Sequence, residues 1–273
     1  MRSEGGPRRQ QSTVFGEVAE LYDRVRPGYP DVLVDDVLEL TDSASPRVLE
    51  VGAGTGKATV PFAERDLAIV ALEPSTEMAG VARQNCARFP RVSIVVSSFE
   101  DWPPQGEPFD LLISAQAWHW VSPDVRYHKA RKVLAPRGAM AVFWNRPRWG
   151  DSPLRLDLDE AYSTLVPDLK AREPGFPGLT TPGVDEDRAR EIEDSGVFGP
   201  VIRRSYRWSS EYTAAEFVAL LQTQSDHRML PSGRRKALFE AVAAIIDDSG
   251  GVLRVDYTTQ LCVAGSLPFT SAS

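Results

Sequence analysis

The segment Val48-Leu49-Glu50-Val51-Gly52-Ala53-Gly54-Thr55-Gly56 limits what this chain can fold into more than any other part of it. A short apolar run leads directly into three glycines at alternate positions. Glycines allow a tight turn and let a ligand come close to the backbone, and the first N–H groups of the following helix are free to bind it. The segment therefore predicts a strand, a ligand-binding turn and a helix.

Two details distinguish this turn from the dinucleotide-binding turn of the same architecture. That fingerprint, Gly-x-Gly-x-x-Gly, needs a glycine where Lys57 stands when Gly52 is counted as the first. Glu50, two residues before the first glycine, would repel a pyrophosphate but suits a positively charged amino group. The next predicted strand is followed by Glu73, whose two oxygens suit the two hydroxyls of a ribose. Glu73 alone leaves a nicotinamide cofactor open.

Strands and helices alternate through the first half of the chain. Helical segments separate the predicted strands, several strands are apolar on both faces, and no hairpin dipeptide joins them. These features are typical of a parallel sheet covered on both sides. The five predicted strands are Arg47–Val51, Ala68–Leu72, Val92–Val96, Phe109–Ser114 and Ala139–Trp144, the last after a helix stop at Pro136-Arg137-Gly138.

The second half suggests two antiparallel strands, Val201–Ser209 and Val252–Ala264, because both alternate polar and apolar residues. The fold class expected is α/β, with a doubly wound, mostly parallel seven-stranded sheet and a helical lid insertion. Residues 14–265 are predicted to form one domain, with 146–184 and 213–230 as lid or substrate-cover segments. Residues 1–13 are predicted to be a disordered tail and 266–273 a flexible one.

Charge and cysteine content restrict the partners. The formal net charge of -7 argues against nucleic acid, because phosphate binding favours a basic face. The sequence contains no apolar run of about 18 residues, so it predicts no membrane span. Cys86 and Cys262 form no closely spaced pair, and the three histidines lack the spacing of metal ligands. We therefore expect a cytoplasmic chain with a small-molecule substrate and no metal, while the oligomeric state stays open.

Val48–Gly56, Glu73, Phe109-Asp110 and Leu134–Gly138 together resemble the class I S-adenosylmethionine-dependent methyltransferases over residues 14–144. Pro136-Arg137-Gly138 departs from the usual Pro-Gly-Gly of that family. Tyr22–Pro30 and Ala115–Trp120 resemble a small-molecule branch that includes trans-aconitate methyltransferase-like enzymes. The resemblance implies a Rossmann-like methyltransferase fold, S-adenosyl-L-methionine as cofactor and S-adenosyl-L-homocysteine as product. It implies O-methylation of a small organic molecule, and a carboxylate acceptor rests on the branch resemblance alone.

The resemblance also implies cofactor roles for individual residues. The glycines would pass under the methionine part, and Glu50 would hold its amino group, directly or through water. Arg26, a bidentate partner for carboxylates, would hold its carboxylate. The ribose falls to Glu73 with Pro74, and Met78 would pack on the adenine. The full set is Tyr22, Arg26, Glu50, Gly52, Gly54, Gly56, Glu73, Pro74, Met78, Ser98, Phe99 and Glu100 at the adenine edge, and Ala115 and Gln116 near the sulfonium.

Aromatic residues follow the fourth predicted strand and end the fifth, so they should reach the same rim of the sheet as the glycine turn. Trp118, His119, Trp120, Trp144 and Asn145 are the predicted substrate-binding residues. Aromatic walls suit a sulfonium and an organic acceptor. The alternative for the tryptophans is core packing.

His119 is the candidate general base, because imidazole changes its charge near neutral pH. The alternatives are a structural histidine or one that binds a substrate carboxylate. His227 would lie at the lid or on the surface.

Two other functions stay open at this point. A nicotinamide-dependent oxidoreductase would use the same architecture, although Lys57 and Glu50 count against it. A non-catalytic S-adenosylmethionine-binding protein would retain the fold without transferring a methyl group, since fold does not fix function.

Overall fold

The computed structural model describes residues 19–41, 43, 45–104, 106–148, 153–172 and 184–267. The predicted disordered tail, residues 1–13, lies outside these residues. Residues 268–273 of the predicted flexible tail also lie outside them. Ser266 and Leu267, the first two residues of the predicted flexible tail, form backbone hydrogen bonds. Ser266 N donates to Gly138 O at 2.8 Å and Leu267 N donates to Val197 O at 3.0 Å.

Seven strands form one sheet in the order β3-β2-β1-β4-β5-β7-β6. They are β1 (Arg47–Val51), β2 (Ala68–Glu73), β3 (Val92–Val96), β4 (Phe109–Ala115), β5 (Leu134–Arg148), β6 (Ile202–Thr213) and β7 (Val252–Gly265). The first five strands pair in parallel, and β7 runs antiparallel to both β5 and β6. The predicted fold class, a mostly parallel seven-stranded sheet, is confirmed.

Helices flank the sheet and extend beyond one end of it. They are α1 (Ala19–Val25), α2 (Asp31–Glu39), α3 (Thr59–Ala63), α4 (Thr76–Asn85), α5 (Pro123–Val133), α6 (Pro153–Leu165), α7 (Pro167–Arg172), α8 (Val184–Asp194), α9 (Ala214–Gln222), α10 (Ser225–Arg228) and α11 (Ser232–Asp248). Ser75 caps the start of α4, because its Oγ accepts a hydrogen bond from Met78 N.

The strands are apolar on both faces because each face supports a separate core. In β1, Leu49 and Val51 belong to one hydrophobic cluster, while Val48 belongs to the other. Leu112 and Leu111 of β4 divide between the same two clusters. Alternate strand residues point to opposite faces, so a sheet with two buried faces leaves few polar positions in its interior. Glu50, fully buried between these apolar neighbours, is therefore conspicuous.

The predicted break at Pro136-Arg137-Gly138 is wrong as an element boundary. Leu134 already pairs with Phe109, and pairing resumes between Ala139 and Leu111, with a register irregularity between them. Proline removes one backbone donor, which makes a bulged strand edge the place where it is tolerated. Strand β5 therefore begins before the residues that we expected to separate helix from strand.

Strands β5, β7 and β6 continue past the end of β4. Ala115, the last residue of β4, pairs with Phe143, while β5 continues to Arg148, which pairs with Asp256 of β7. Strand β6 extends beyond the predicted Ser209 to Thr213, opposite Val252. The three strands thus form a platform beyond the carboxyl edge of the parallel strands.

A third hydrophobic cluster packs on this platform. Tyr212 and Leu253 of the strands meet Leu158 of α6, Phe217 of α9 and Leu238 of α11 in it. The cluster joins described parts of the predicted lid segments 146–184 and 213–230 to α11 and to Val25 of α1. A helical layer consequently lies above the edge where β1, β2 and β4 end.

Candidate active site

The glycine turn has the conformation that its sequence predicts. Gly52, Gly54 and Gly56 have φ angles of 77°, 59° and 89°. Residues that carry a side chain rarely adopt these positive values. A Cβ at Gly52 would come within 2.3 Å of the Ala117 Cβ. Gly52 N and Ala53 N both donate to Leu72 O at 2.9 Å, which fixes the turn to β2. The turn is therefore a rigid backbone cradle that lies against the end of β4.

Glu50 lies beside this cradle with half of its carboxylate unsatisfied. Its Oε2 accepts a hydrogen bond from Thr59 Oγ1 at 2.6 Å, whereas Oε1 is buried and has no partner among the described residues. Burial raises the pKa of Glu50 to about 7; the Thr59 hydrogen bond opposes this rise and the charge of Glu73 adds to it. A buried acceptor without a donor is costly. A primary ammonium at this position would supply the missing donor and a compensating charge, so the site fits the amino group of a methionine moiety.

Glu73 is fixed at the end of β2 by two backbone donors. Gly54 N donates to its Oε2 at 2.9 Å and Ser75 N to its Oε1 at 2.8 Å. Burial raises the pKa of Glu73, and these two hydrogen bonds act against the rise. Each carboxylate oxygen has a second lone pair, so both can still accept from ribose hydroxyls. Met78 is buried against the turn, with its Cε 3.6 Å from where a Cβ of Gly54 would lie. Pro74 connects Glu73 to the cap of α4.

At the predicted adenine edge, Ser98 and Glu100 form hydrogen bonds with other parts of the protein. Ser98 Oγ donates to Asp101 Oδ2 at 2.7 Å, and Asp101 is an acid that the sequence analysis did not single out. Glu100 Oε1 accepts from Ser122 N at 2.8 Å, so it is engaged at the start of α5. Phe99 is buried, with its ring centroid 5.9 Å from that of Trp118. Binding of the base amino group by Glu100 or by a backbone carbonyl stays a prediction, and Asp101, exposed beside Ser98, is a further acid at this edge.

The N-terminal segment is tied down over the turn. Asn85 of α4 donates to Asp23 Oδ1 at 3.0 Å and to Thr55 O at 2.9 Å, which joins α1 to the glycine turn. Arg26 lies 5.0 Å from the Tyr22 ring centroid. Its Nε and Nη2 donate to the hydroxyl and carbonyl of Thr223 at 2.8 and 2.9 Å. In this conformation Arg26 joins α1 to the α9–α10 connection, a different contact from the predicted carboxylate.

Tyr29 lies within the Tyr22–Pro30 segment but is not among the predicted site residues. Its ring meets that of Phe143 edge-on at 4.9 Å. Burial raises the pKa of its phenol, and the nearby Tyr22 and Glu50 act in the same direction. Tyr29 is therefore a neutral hydroxyl near Glu50. Its signal in the sequence is its place in the Tyr22–Pro30 segment.

Gln116 carries backbone strain at the predicted sulfonium position, directly after Ala115. Its φ of 58° is unusual for a residue other than glycine. Gln116 N donates to Phe143 O at 2.9 Å and its Nε2 donates to Asn145 O at 3.3 Å. Strained residues concentrate where function requires a particular backbone path. The strain turns the chain toward the glycine cradle, since Ala117 is the residue that touches Gly52.

Three of the predicted substrate-binding residues are buried in the structure. Trp118 is fully buried in the core against Phe99 and Tyr127, and Trp144 is buried in the same cluster. Asn145 is buried, with Nδ2 donating to Gly28 O at 2.8 Å and Oδ1 accepting from Thr259 Oγ1 at 2.7 Å. Trp118 follows β4 by three residues, and Trp144 and Asn145 lie within β5, which continues to Arg148. Sequence position alone does not show which of these side chains pack inward and which reach the rim.

His119 and Trp120 remain partly exposed at the rim. They line a cavity of about 180 Å³ together with Pro123, Arg126, Arg188 and Glu191. Arg188 and Glu191 come from α8, a helix to which the sequence analysis assigned no site residue. Of the five predicted substrate-binding residues, these two adjoin open space.

His227 is buried, so the surface alternative for it is wrong. Its Nδ1 lies 2.8 Å from Asp226 Oδ1 and its Nε2 lies 2.7 Å from Tyr162 Oη. Burial would raise the pKa of Asp226, but the hydrogen bonds and charge of His227 hold it below its ordinary value. This network joins α10 to α6 within the helical layer.

The strand order, the glycine cradle and the acid at the end of β2 together define the class I methyltransferase fold. Residues 48–138 match the family model described as methyltransferase domain.

In that part of the chain that the structure describes, no helix has both the length and the apolar character for a bilayer span, and no three acidic, histidine or cysteine side chains are grouped as metal ligands would be.

Several proteins similar to this chain carry methyltransferase names. An uncharacterized methyltransferase of Mycobacterium tuberculosis is 38% identical over 138 residues, which is 50% of this chain and 54% of that one. The chain thus spans about half the length of the curated relatives it matches. A proposed type II methyltransferase structure from Anaeromyxobacter dehalogenans has a TM-score of 0.61 at 22% identity, over 89% of this chain and 99% of that one.

A Haemonchus contortus phosphoethanolamine N-methyltransferase in complex with S-adenosylhomocysteine has a TM-score of 0.53 at 13% identity, over 93% of this chain and 58% of that one. At these identities the two structures establish the fold.

Proposed function

We propose that this chain transfers the methyl group of S-adenosyl-L-methionine to a small organic molecule. The observation that carries the proposal is the buried Oε1 of Glu50, which has no partner among the described residues and lies beside three glycines with positive φ. A buried carboxylate beside a backbone cradle favours a ligand with a positively charged amino group. An amino acid moiety therefore fits this site better than a pyrophosphate.

The residues of the cradle divide the cofactor among them. Glu50 would accept from the amino group, Glu73 would accept from the ribose hydroxyls, and Met78 would pack on the base. S-adenosyl-L-methionine supplies a methyl group already activated on a sulfonium, which becomes the neutral thioether of S-adenosyl-L-homocysteine after in-line displacement. The chain therefore has to orient the acceptor and exclude water, more than to move protons.

We further propose O-methylation as the reaction, with a carboxylate as the acceptor class suggested by the resemblance of Ala115–Trp120 to the small-molecule branch. A carboxylate needs no base. With a hydroxyl acceptor, His119 would take the proton, because it is the histidine at the rim. The described helices α6, α7, α9 and α10 would cover the acceptor during transfer.

Calorimetric titration with S-adenosyl-L-homocysteine and with NADH tests the cofactor. We expect S-adenosyl-L-homocysteine to bind and NADH not to bind. Glu73→Ala should weaken binding by about 2 kcal/mol, the scale of lost hydrogen bonds to a charged group. Glu240→Ala, which removes an exposed carboxylate on α11, should leave it unchanged.

A folded chain that binds NADH and not S-adenosyl-L-homocysteine would overturn the proposal in favour of an oxidoreductase. Binding of the cofactor without methyl transfer to hydroxyl and carboxyl acceptors would favour a non-catalytic binding protein. Transfer is followed by the appearance of S-adenosyl-L-homocysteine that depends on the acceptor.

A further inference from the structure

The cavity beside His119 and Trp120 carries a charge that the methyl transfer itself does not require. Two guanidinium groups, those of Arg126 and Arg188, and a single carboxylate, that of Glu191, line it. Both guanidinium groups donate to the same oxygen, since Arg126 Nη2 and Arg188 Nη1 lie 2.9 and 3.0 Å from Glu191 Oε2. The described lining thus holds more positive than negative charge.

Each arginine also has a donor that the protein leaves unused. Arg126 Nε and Arg188 Nε are buried and have no hydrogen-bond partner among the described residues. The Arg126 side chain is only 5% exposed, and its guanidinium is held over the Tyr127 ring at 5.0 Å. Arg188 lies 5.8 Å from the Trp144 ring. Buried charged groups normally find partners for all their donors, so an anion in the cavity would offset the charge of two guanidinium groups that the protein satisfies incompletely.

The start of α5 adds to the same field. Pro123, its first residue, lines the cavity, and the side chain of Ser122 caps no backbone N–H of the helix. The partial positive charge of a helix N-terminus favours an anion there. The helix alone would not define a site, but here it converges with two guanidinium groups on one small space.

The cavity lies close to the proposed cofactor cradle along the chain. Ala117 touches Gly52, and His119 follows two residues later at the wall of the cavity. We therefore propose that this cavity binds an anionic group, a carboxylate, of the methyl acceptor. This inference rests on the proposed function for its purpose, although the binding it predicts is measurable without catalysis.

The anchored carboxylate would be distinct from the atom that receives the methyl group. An oxygen whose lone pairs accept hydrogen bonds from guanidinium groups is a poorer nucleophile than one left free. The acceptor class is then a small acid that carries a second nucleophilic group, such as a dicarboxylic or hydroxycarboxylic acid. A cavity of about 180 Å³ suits the anchoring end of such a molecule.

Calorimetric titration of succinate and benzoate, each against its uncharged amide, tests the subsite. The titrations are made with and without saturating S-adenosyl-L-homocysteine. At least one acid should bind about tenfold or more tightly than its amide. Arg188→Gln should weaken binding of that acid about tenfold while changing the affinity for S-adenosyl-L-homocysteine less than about twofold. Arg190→Gln, which removes an exposed arginine from the same helix, is the matched control and should bind the acid normally.

The subsite is overturned if neither acid binds better than its amide, or if Arg188→Gln binds the acid as well as the unchanged chain does. Failure of S-adenosyl-L-homocysteine to bind would overturn the proposed function instead, and the titrations without it would still decide the subsite.

Discussion

Glu73 Oε2 accepts a hydrogen bond from Gly54 N at 2.9 Å, so the acid at the end of β2 and the glycine turn after β1 form one rigid unit. Their separation along the chain is large, but parallel pairing of β1 with β2 places their carboxyl ends side by side. The unit holds Glu73, the last residue of β2, at a fixed position beside the turn that follows Glu50 and Val51 of β1.

Gly52 should tolerate alanine much less well than Gly251 does. Both have nearly the same φ, 77° and 78°, but a Cβ at Gly52 would meet Ala117 at 2.3 Å, whereas one at Gly251 has nothing within 4 Å. Gly251→Ala should cost about 1 kcal/mol of unfolding free energy from backbone strain. Gly52→Ala adds an overpacking cost and should lose about 3 kcal/mol. Urea unfolding measures both, and equal losses would contradict the close contact.

Glu50 should make the stability of the ligand-free chain dependent on pH. Its folded-state pKa of about 7 exceeds its ordinary value of 4.5, so the folded chain holds a proton there that the unfolded chain has released. Stability without ligand should therefore fall as pH rises from about 4.5 to above 7. The Glu50→Gln variant should show a flatter profile between these limits, measured by urea unfolding. An identical profile in the two proteins would contradict the burial of an ionisable Glu50.

Binding of a cation beside Glu50 should release its proton. At pH 6, titrations of S-adenosyl-L-homocysteine in buffers of different ionisation enthalpy should report release of up to about one proton, falling toward zero at pH 8.5. The release should vanish in Glu50→Gln. Proton uptake, or release that persists in the variant, would show that another group is coupled to binding.

The network of Asp226, His227 and Tyr162 should contribute to stability. Tyr162→Phe removes the partner of His227 Nε2 in a buried setting, which should cost about 1–3 kcal/mol of unfolding free energy. Ser163→Ala removes the neighbouring exposed hydroxyl and should change little. Urea unfolding of the two variants decides the matter. Equal stability of Tyr162→Phe and the unchanged chain would mean that the hydroxyl contributes no net stabilisation.

Cys86 should be inert in the folded chain. Burial raises the pKa of its thiol to about 11, with the charge of Glu50 acting in the same direction. A neutral buried thiol reacts slowly with disulfide reagents at pH 8, and Cys262 is buried as well. A chromogenic disulfide reagent should therefore detect almost no thiol before urea is added. Rapid reaction of one thiol in the folded chain would contradict the packing of α4 on the glycine turn.

The sequence predicts the parallel half of the fold well, because its strands are short apolar runs separated by turn residues and helix caps. It predicts the glycine turn and its two acids for the same local reason, since conformation and charge there are properties of a few adjacent residues. The continuation of β5 through Pro136-Arg137-Gly138 is not predictable in this way. It depends on pairing with β4 and β7 on either side.

The acceptor side of the site depends on contacts between distant segments. Trp118 and Trp144 face the core and Trp120 lines the cavity, a distinction that the positions of these residues along the chain do not encode. Arg188 reaches the same cavity from α8, far along the chain from His119. Asn145 binds Gly28 across the sheet. Only the folded arrangement brings these side chains together.

A crystal structure of the chain with S-adenosyl-L-homocysteine would test the central claim most directly, through the distance from the ligand amino nitrogen to Glu50 Oε1. The account predicts a hydrogen bond of about 2.8–3.0 Å, with the ribose hydroxyls on Glu73. A ligand bound elsewhere, or one whose amino group points away while Glu50 Oε1 stays without a donor, would contradict it.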